Sequence, residues 1–147
     1  MKISLPTGLQ LDKKISLKEY QQMKILMKQH DIGRYKLKQK DFYRVRDKDQ
    51  IIAFGRLHEI GEHQLELGSV WVHKKYRGRK IGLFICQELI KDKKAENEVF
   101  LATRNILRLY YQKLGFKIIK KDIPIKLQYT IKRAIKEGIE FIIMKLK

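Results

Sequence analysis

The stretch Leu65-Glu66-Leu67-Gly68-Ser69-Val70-Trp71-Val72, followed after His73-Lys74-Lys75 by Tyr76-Arg77-Gly78-Arg79-Lys80-Ile81-Gly82, decides the reading of this chain. Its first part is a largely apolar strand. Its second part is a basic, glycine-bearing turn, and a helical pattern begins directly behind it. Such a turn at a helix N-terminus is an anion seat: the N–H groups of the first helical turn lack intrahelical partners, and the helix dipole is positive there. The segment therefore points to a phosphorylated ligand. On this segment alone a second reading stays open, in which Gly78 and Gly82 merely permit a tight turn and close helix packing.

Outward from that stretch the chain reads as alternating elements. Ser16-Leu17-Lys18-Glu19 has capping-box spacing and opens a helix with Leu17, Tyr20, Met23, Leu26 and Met27 on one face, ending near Gly33. Residues 42–46 and 51–57 read as a hairpin joined by Asp47-Lys48-Asp49-Gln50, and a turn around Gly61 leads to the strand at 65–72. Three antiparallel strands are expected there. A helix over about 80–91 then leads to a strand at 99–103, which the crossover makes parallel to the strand at 65–72. A second helix is expected over 105–113, stopped by Gly115, then a strand at 116–119. Leu127, Ile131, Ala134 and Ile135 form a helical stripe ended by Gly138, and residues 141–146 read as a buried last strand.

The length of 147 residues and a hydrophobic content of 44% suit one domain over residues 1–147, an α/β fold around a mixed sheet. No stretch is apolar enough to span a membrane and the first residues lack a long apolar signal, so a cytoplasmic location is expected. The lone Cys86 lies in an apolar run and reads as a small core residue rather than a nucleophile. The four histidines show no metal-ligand spacing, so no metal is expected. The formal net charge of +18 attracts anions of any kind. Lysines spread over the whole chain suit a solvated surface more than a dedicated nucleic-acid groove.

Two motifs together resemble the GNAT family of acyl-CoA N-acetyltransferases over about residues 42–146. The family's acyl-CoA signature is Gln or Arg, two residues, Gly, one residue, then Gly or Ala. Arg77 and Gly82 match it, whereas Lys80 stands at the middle glycine. The second motif is Tyr111-Gln112-Lys113-Leu114-Gly115-Phe116, similar to the family's tyrosine segment ending in Leu-Gly-Phe. The resemblance implies a mixed, mostly antiparallel sheet with a splayed parallel pair, and acetyl-CoA as cosubstrate. It places the pyrophosphate on Arg77, Gly78, Arg79, Lys80, Ile81 and Gly82. It pairs the pantetheine arm with the strand at Val70, Trp71 and Val72, an edge-pairing mode carried by main-chain hydrogen bonds. A bulge at Gly68 and Ser69 would start the splay, although a strand glycine also serves close packing. Asn105 is placed to hold the arm, or equally to cap a helix.

Acetyl transfer needs an amine stripped of a proton and a thiolate that leaves. By the resemblance Glu66 is the base, acting through water. The residues alone leave open that Glu66 simply faces solvent, since a carboxylate buried in an apolar strand is penalised. Tyr111 corresponds to the tyrosine that protonates or steadies the departing sulfur, a role suited to a phenol of pKa about 10. Tyr110 and Tyr111 as plain amphipathic helix residues is the other reading. The implied mechanism is direct transfer in a ternary complex. The acceptor is a small-molecule or peptide amine, with anionic or tRNA-linked acceptors favoured by the positive field, and the protein a monomer or homodimer. A non-catalytic CoA-sensing or nucleic-acid-binding module on the same fold is the alternative.

Overall fold

The first helix starts as its sequence demands. Ser16 Oγ accepts from the Glu19 N–H at 3.2 Å, and Glu19 Oε1 accepts from the Ser16 N–H at 3.1 Å, which closes the capping box. Tyr20, Met23 and Met27 are buried. Leu17, at the first helical position, is 64% exposed, so the buried stripe starts a turn later than the periodicity suggests.

The computed structural model describes residues 2–33 and 35–147. Its elements are β1 (Leu9–Asp12), α1 (Leu17–Gln29), β2 (Phe42–Asp47), β3 (Gln50–Gly61), β4 (Gln64–Val72), α2 (Ile81–Lys93), β5 (Glu98–Arg104), α3 (Arg108–Gln112), β6 (Phe116–Ile119), α4 (Ile125–Lys136) and β7 (Phe141–Leu146). The seven strands form a mixed sheet in the order β1-β2-β3-β4-β5-β7-β6. The pairing of β4 with β5 is parallel, as the crossover at α2 requires, whereas β1–β2, β2–β3, β5–β7 and β6–β7 are antiparallel. This is the α/β fold expected from the chain.

Contacts divide the chain into two compact units, one of residues 2–57 with 67–93 and the other of 58–66 with 94–147; β3 and β4 contribute to both. In the first, α1 covers a cluster of Tyr20, Met23, Met27, Phe42, Phe54 and Trp71. The indole stacks on Phe54 with centroids 5.3 Å apart, and Phe42 meets Phe54 edge-on at 6.1 Å. One residue along β3, Gly55 turns to α2. A Cβ there would lie 3.3 Å from Ile85 Cγ2 and 3.4 Å from Val70 Cγ2, so glycine lets helix and strand approach. In the second unit, Phe100, Leu127 and Ile143 form a buried cluster joined by Ile60, Ile119, Ile123 and Ile131, which fixes α4. The register Gln64↔Glu98, Leu65↔Val99 and Glu66↔Phe100 sets the parallel pair.

Two elements depart from expectation. β1 is a strand because it pairs with β2, from Leu9↔Asp47 to Asp12↔Arg44, and its four residues show no clear period of their own. The helix expected over 105–113 is a 3₁₀ turn over Asn105–Leu107 followed by five α-helical residues, Arg108–Gln112.

Candidate functional site

The basic turn is assembled in the first unit. After Val72, the His73 N–H donates to the Ile52 carbonyl at 2.7 Å, and His73 Nδ1 accepts from the Lys75 N–H at 3.1 Å. Tyr76 Oη donates to Asp47 Oδ2 at 2.6 Å and ties the turn to β2; that hydrogen bond holds the phenol pKa above its ordinary value. Arg77 Nε donates to the Val72 carbonyl at 2.9 Å, and the Arg79 guanidinium lies 5.6 Å from the Tyr76 ring centroid.

The backbone then makes the seat. Gly78 has φ 84° and Lys80 has φ 61°, both left-handed, and the Lys80 carbonyl accepts the Phe84 N–H at 3.0 Å as α2 begins. No acidic residue stands in the first turn of α2. Arg77, Gly78, Arg79 and Lys80 are exposed, while Ile81 and Gly82 are buried. The left-handed dihedral is the physical reason for a glycine in the signature at residue 80. Lysine adopts it at a cost of about 1 kcal/mol, so the backbone shape survives the change of residue. First-turn N–H donors, a helix dipole and three exposed cations fit a pyrophosphate.

Upstream, Ser69 takes a left-handed φ of 50° within β4, at the position where the bulge is expected, while the register shift seen in the sheet lies between Val45 and Arg46 in the β2–β3 pair. Its Oγ accepts from Arg56 Nε at 3.1 Å and donates to the Gly33 carbonyl at 2.8 Å, which pins the irregularity. Val70 and Val72 are half-buried. The Trp71 ring lies against Phe54 and His30, with centroids 5.3 and 5.2 Å away, and its buried Nε1 has no hydrogen-bond partner among the described residues. A groove of about 690 Å³ runs past it, lined among others by Ile25, His30, Ile51, His73 and Arg77.

The two catalytic candidates lie in the second unit. Glu66 is 8% exposed, which removes the solvent-facing reading. Lys126 Nζ donates to Glu66 Oε1 at 2.6 Å, and His58 Nε2 is 3.4 Å from the same oxygen. A buried carboxylate is thereby given a cation and a titratable ring as neighbours. Neither neighbour was legible: His58 lies just past the hairpin strand read from sequence, and Lys126 comes from α4, sixty residues on. Tyr111, on α3, is half-buried, with its ring edge-on to Tyr110 at 5.0 Å and to Phe116 at 6.3 Å. Asn105 is exposed and its side chain caps neither the 3₁₀ turn nor α3, so the capping reading falls.

Cys86 is fully buried, and burial pushes its thiol up to about 12. A thiol in that state is no nucleophile at neutral pH. Among the described residues no group of three His, Cys, Asp or Glu side chains is placed to hold a metal ion, and no helix is long and apolar enough to cross a membrane.

No curated protein sequence matches the chain. N-acetylglutamate synthase from Neisseria gonorrhoeae, solved with coenzyme A and N-acetyl-glutamate, superposes with a TM-score of 0.71 at 12% identity; the match covers 98% of this chain, which spans only 36% of that one. A Mycobacterium tuberculosis protein in complex with CoA gives 0.70 at 18% identity, covering 92% of this chain and 97% of that one. An Arabidopsis thaliana protein bound to the bisubstrate analogue CoA-Ac-MVNAL gives 0.65 at 18% identity, covering 96% and 99%. These similarities concern the fold. The profile described as "Acetyltransferase (GNAT) domain" matches residues 38–118, more than half of the chain, and by that match the chain belongs to the GNAT acetyltransferase family.

Proposed function

We propose that this protein is an N-acetyltransferase that moves an acetyl group from acetyl-CoA to a primary amine by direct attack in a ternary complex. The observation that carries the reading is the left-handed turn at Gly78 and Lys80, which opens α2 with free first-turn donors and no acidic residue. When bound, acetyl-CoA supplies the acetyl group as an activated thioester. The N–H groups of residues 78–82 receive its pyrophosphate, with Arg77, Arg79 and Lys80 adding charge. The main chain of Val70, Trp71 and Val72 pairs with the pantetheine arm, and the uncommitted Asn105 amide holds its amides. Glu66 takes a proton from the acceptor amine, and Tyr111 delivers one to the departing sulfur. The buried, protonated Cys86 thiol supports transfer without an acyl-enzyme.

The acceptor is a small-molecule or peptide amine. Support comes from the similar folds solved with N-acetyl-glutamate and with a peptide bisubstrate analogue. The charge of +18 and the Lys74 and Arg77 lining of the groove, against Asp49 alone, favour acceptors that carry negative charge, tRNA-linked ones included.

Calorimetric titration with acetyl-CoA, free CoA and ATP at moderate salt tests the reading. Saturable one-site binding of acetyl-CoA in preference to ATP is expected, as is a loss of turnover in Tyr111→Phe with acetyl-CoA binding retained. Equal, weak binding of all three would reduce the turn to a charged surface; strongly salt-dependent retention of RNA would then identify a nucleic-acid module.

A further inference from the structure

An amine that Glu66 deprotonates must come within hydrogen-bond reach of its carboxylate, directly or through one water. One already stands there, the Lys126 ammonium, 2.6 Å from Glu66 Oε1. We propose that Lys126 is itself an acceptor, acetylated on Nζ by the protein's own transfer chemistry. The inference rests on the acetyltransferase reading and on Glu66 as its base.

The amine is held, not merely nearby. Lys126 is the second residue of α4, next to Leu127, which is fully buried beside Phe100 and Ile143. The Lys126 side chain is 17% exposed and that of Glu66 10%, so the pair is largely withdrawn from water without being sealed. His58 Nε2 flanks the same carboxylate oxygen. A purely neutralising ion pair and a self-acceptor share this geometry, but they differ in the chemical fate of Nζ.

The step balances as follows. The nitrogen loses two protons, one to the Glu66 carboxylate and on to water, the other to the departing sulfur. Its lone pair forms the bond to the thioester carbonyl carbon, the C–S bond breaks, and an amide and the free thiol of CoA result. Acetylation removes the cation from Glu66 and leaves the carboxylate with His58, open to a second amine. Turnover of an added amine then starts with a lag while Lys126 is consumed.

The experiment follows acetylation of each lysine by peptide mass spectrometry, with acetyl-CoA in one sample and acetic anhydride, which needs no site, in another. With the anhydride the ion-paired Lys126 is among the slowest lysines. With acetyl-CoA it is the first, at a rate per molecule independent of protein concentration. Glu66→Gln moves the two in opposite directions: Lys126 labelling rises with the anhydride and falls about a hundredfold or more with acetyl-CoA. Lys126→Arg keeps opposite Glu66 a cation that acetylation cannot remove, so the modification is lost and turnover of an added amine stays at the low initial rate without the later rise. If the acetyl-CoA order simply follows the anhydride order, or an added amine is acetylated while Lys126 stays unmodified, the self-acceptor is overturned and the transferase reading stands. If acetyl-CoA neither binds nor is consumed, both fall together.

Discussion

The turn at residues 77–82 is built from backbone, the cluster around Glu66 from three side chains that meet from distant parts of the chain. In the turn, the working groups are N–H donors and a dipole, and any residue that reaches the left-handed dihedral preserves them; Lys80 does so where the family signature has glycine. In the cluster, His58 and Lys126 both approach the same Glu66 carboxylate oxygen, at 3.4 and 2.6 Å. Backbone sites should therefore degrade gradually on substitution and side-chain clusters abruptly.

The sharpest test of that contrast is Glu66→Gln, which keeps the shape and removes the proton acceptor. A fall in kcat of about 10²–10⁴-fold is expected, with the acetyl-CoA Kd unchanged by calorimetry. An intact kcat would end the assignment of Glu66 as base. Next comes Lys126→Met, which leaves the buried carboxylate facing His58 without its lysine. Breaking a buried pair costs about 3 kcal/mol, read as a lower denaturant midpoint at pH 7.

The turn should respond weakly, and in one case favourably. Lys80→Gly relieves a left-handed residue but gives the unfolded chain more freedom, for a net gain of roughly 0.5 kcal/mol in chemical denaturation. Acetyl-CoA affinity should hold or improve, since the N–H stays and a bulky side chain goes. A clear loss of affinity would instead show that the Lys80 ammonium contributes more than its backbone, and the contrast between the two regions would fail at that residue.

How much was legible follows from the same distinction. The capping box at Ser16 and Glu19, the basic turn before α2 and the parallel β4–β5 pair carry local signals, and each appears in the structure where its signal lies. β1 escaped notice because Leu9–Asp12 becomes a strand only through its partner β2. The expected helix at 105 was overread because a 3₁₀ turn and an α-turn share the same short apolar spacing. At the site, residue type alone left Glu66 either buried or solvent-facing, and burial decided for the first. Its two neighbours could not be read at all, because no local pattern links positions 58, 66 and 126.

The smallest expected effect compares two ion pairs of nearly equal length. Lys13 Nζ lies 2.8 Å from Asp92 Oδ2, against 2.6 Å for Lys126 and Glu66, but the Lys13 and Asp92 side chains are 45% and 28% exposed. Hydrogen bonding from Lys13, then from Tyr43 Oη at 2.7 Å, holds the Asp92 carboxyl below the usual carboxylate range. The bond to Asp92 holds Lys13 above its ordinary value, and burial followed by the Asp92 bond raises Tyr43. A depressed carboxyl contributes stability above its unfolded pKa and loses it as pH falls through the folded value, here below about pH 4. A raised lysine contributes below its unfolded pKa and loses that as pH rises through the folded value, while a raised phenol resists the ionisation that the unfolded chain gains above about pH 10. The tie should therefore hold a plateau between these limits and weaken at both ends. Solvent screening keeps its worth under about 1 kcal/mol, and high salt lowers it further. Asp92→Asn should flatten the acid limb of stability against pH by that small amount. A loss as large as that from Lys126→Met would mean that burial is not what separates the two pairs.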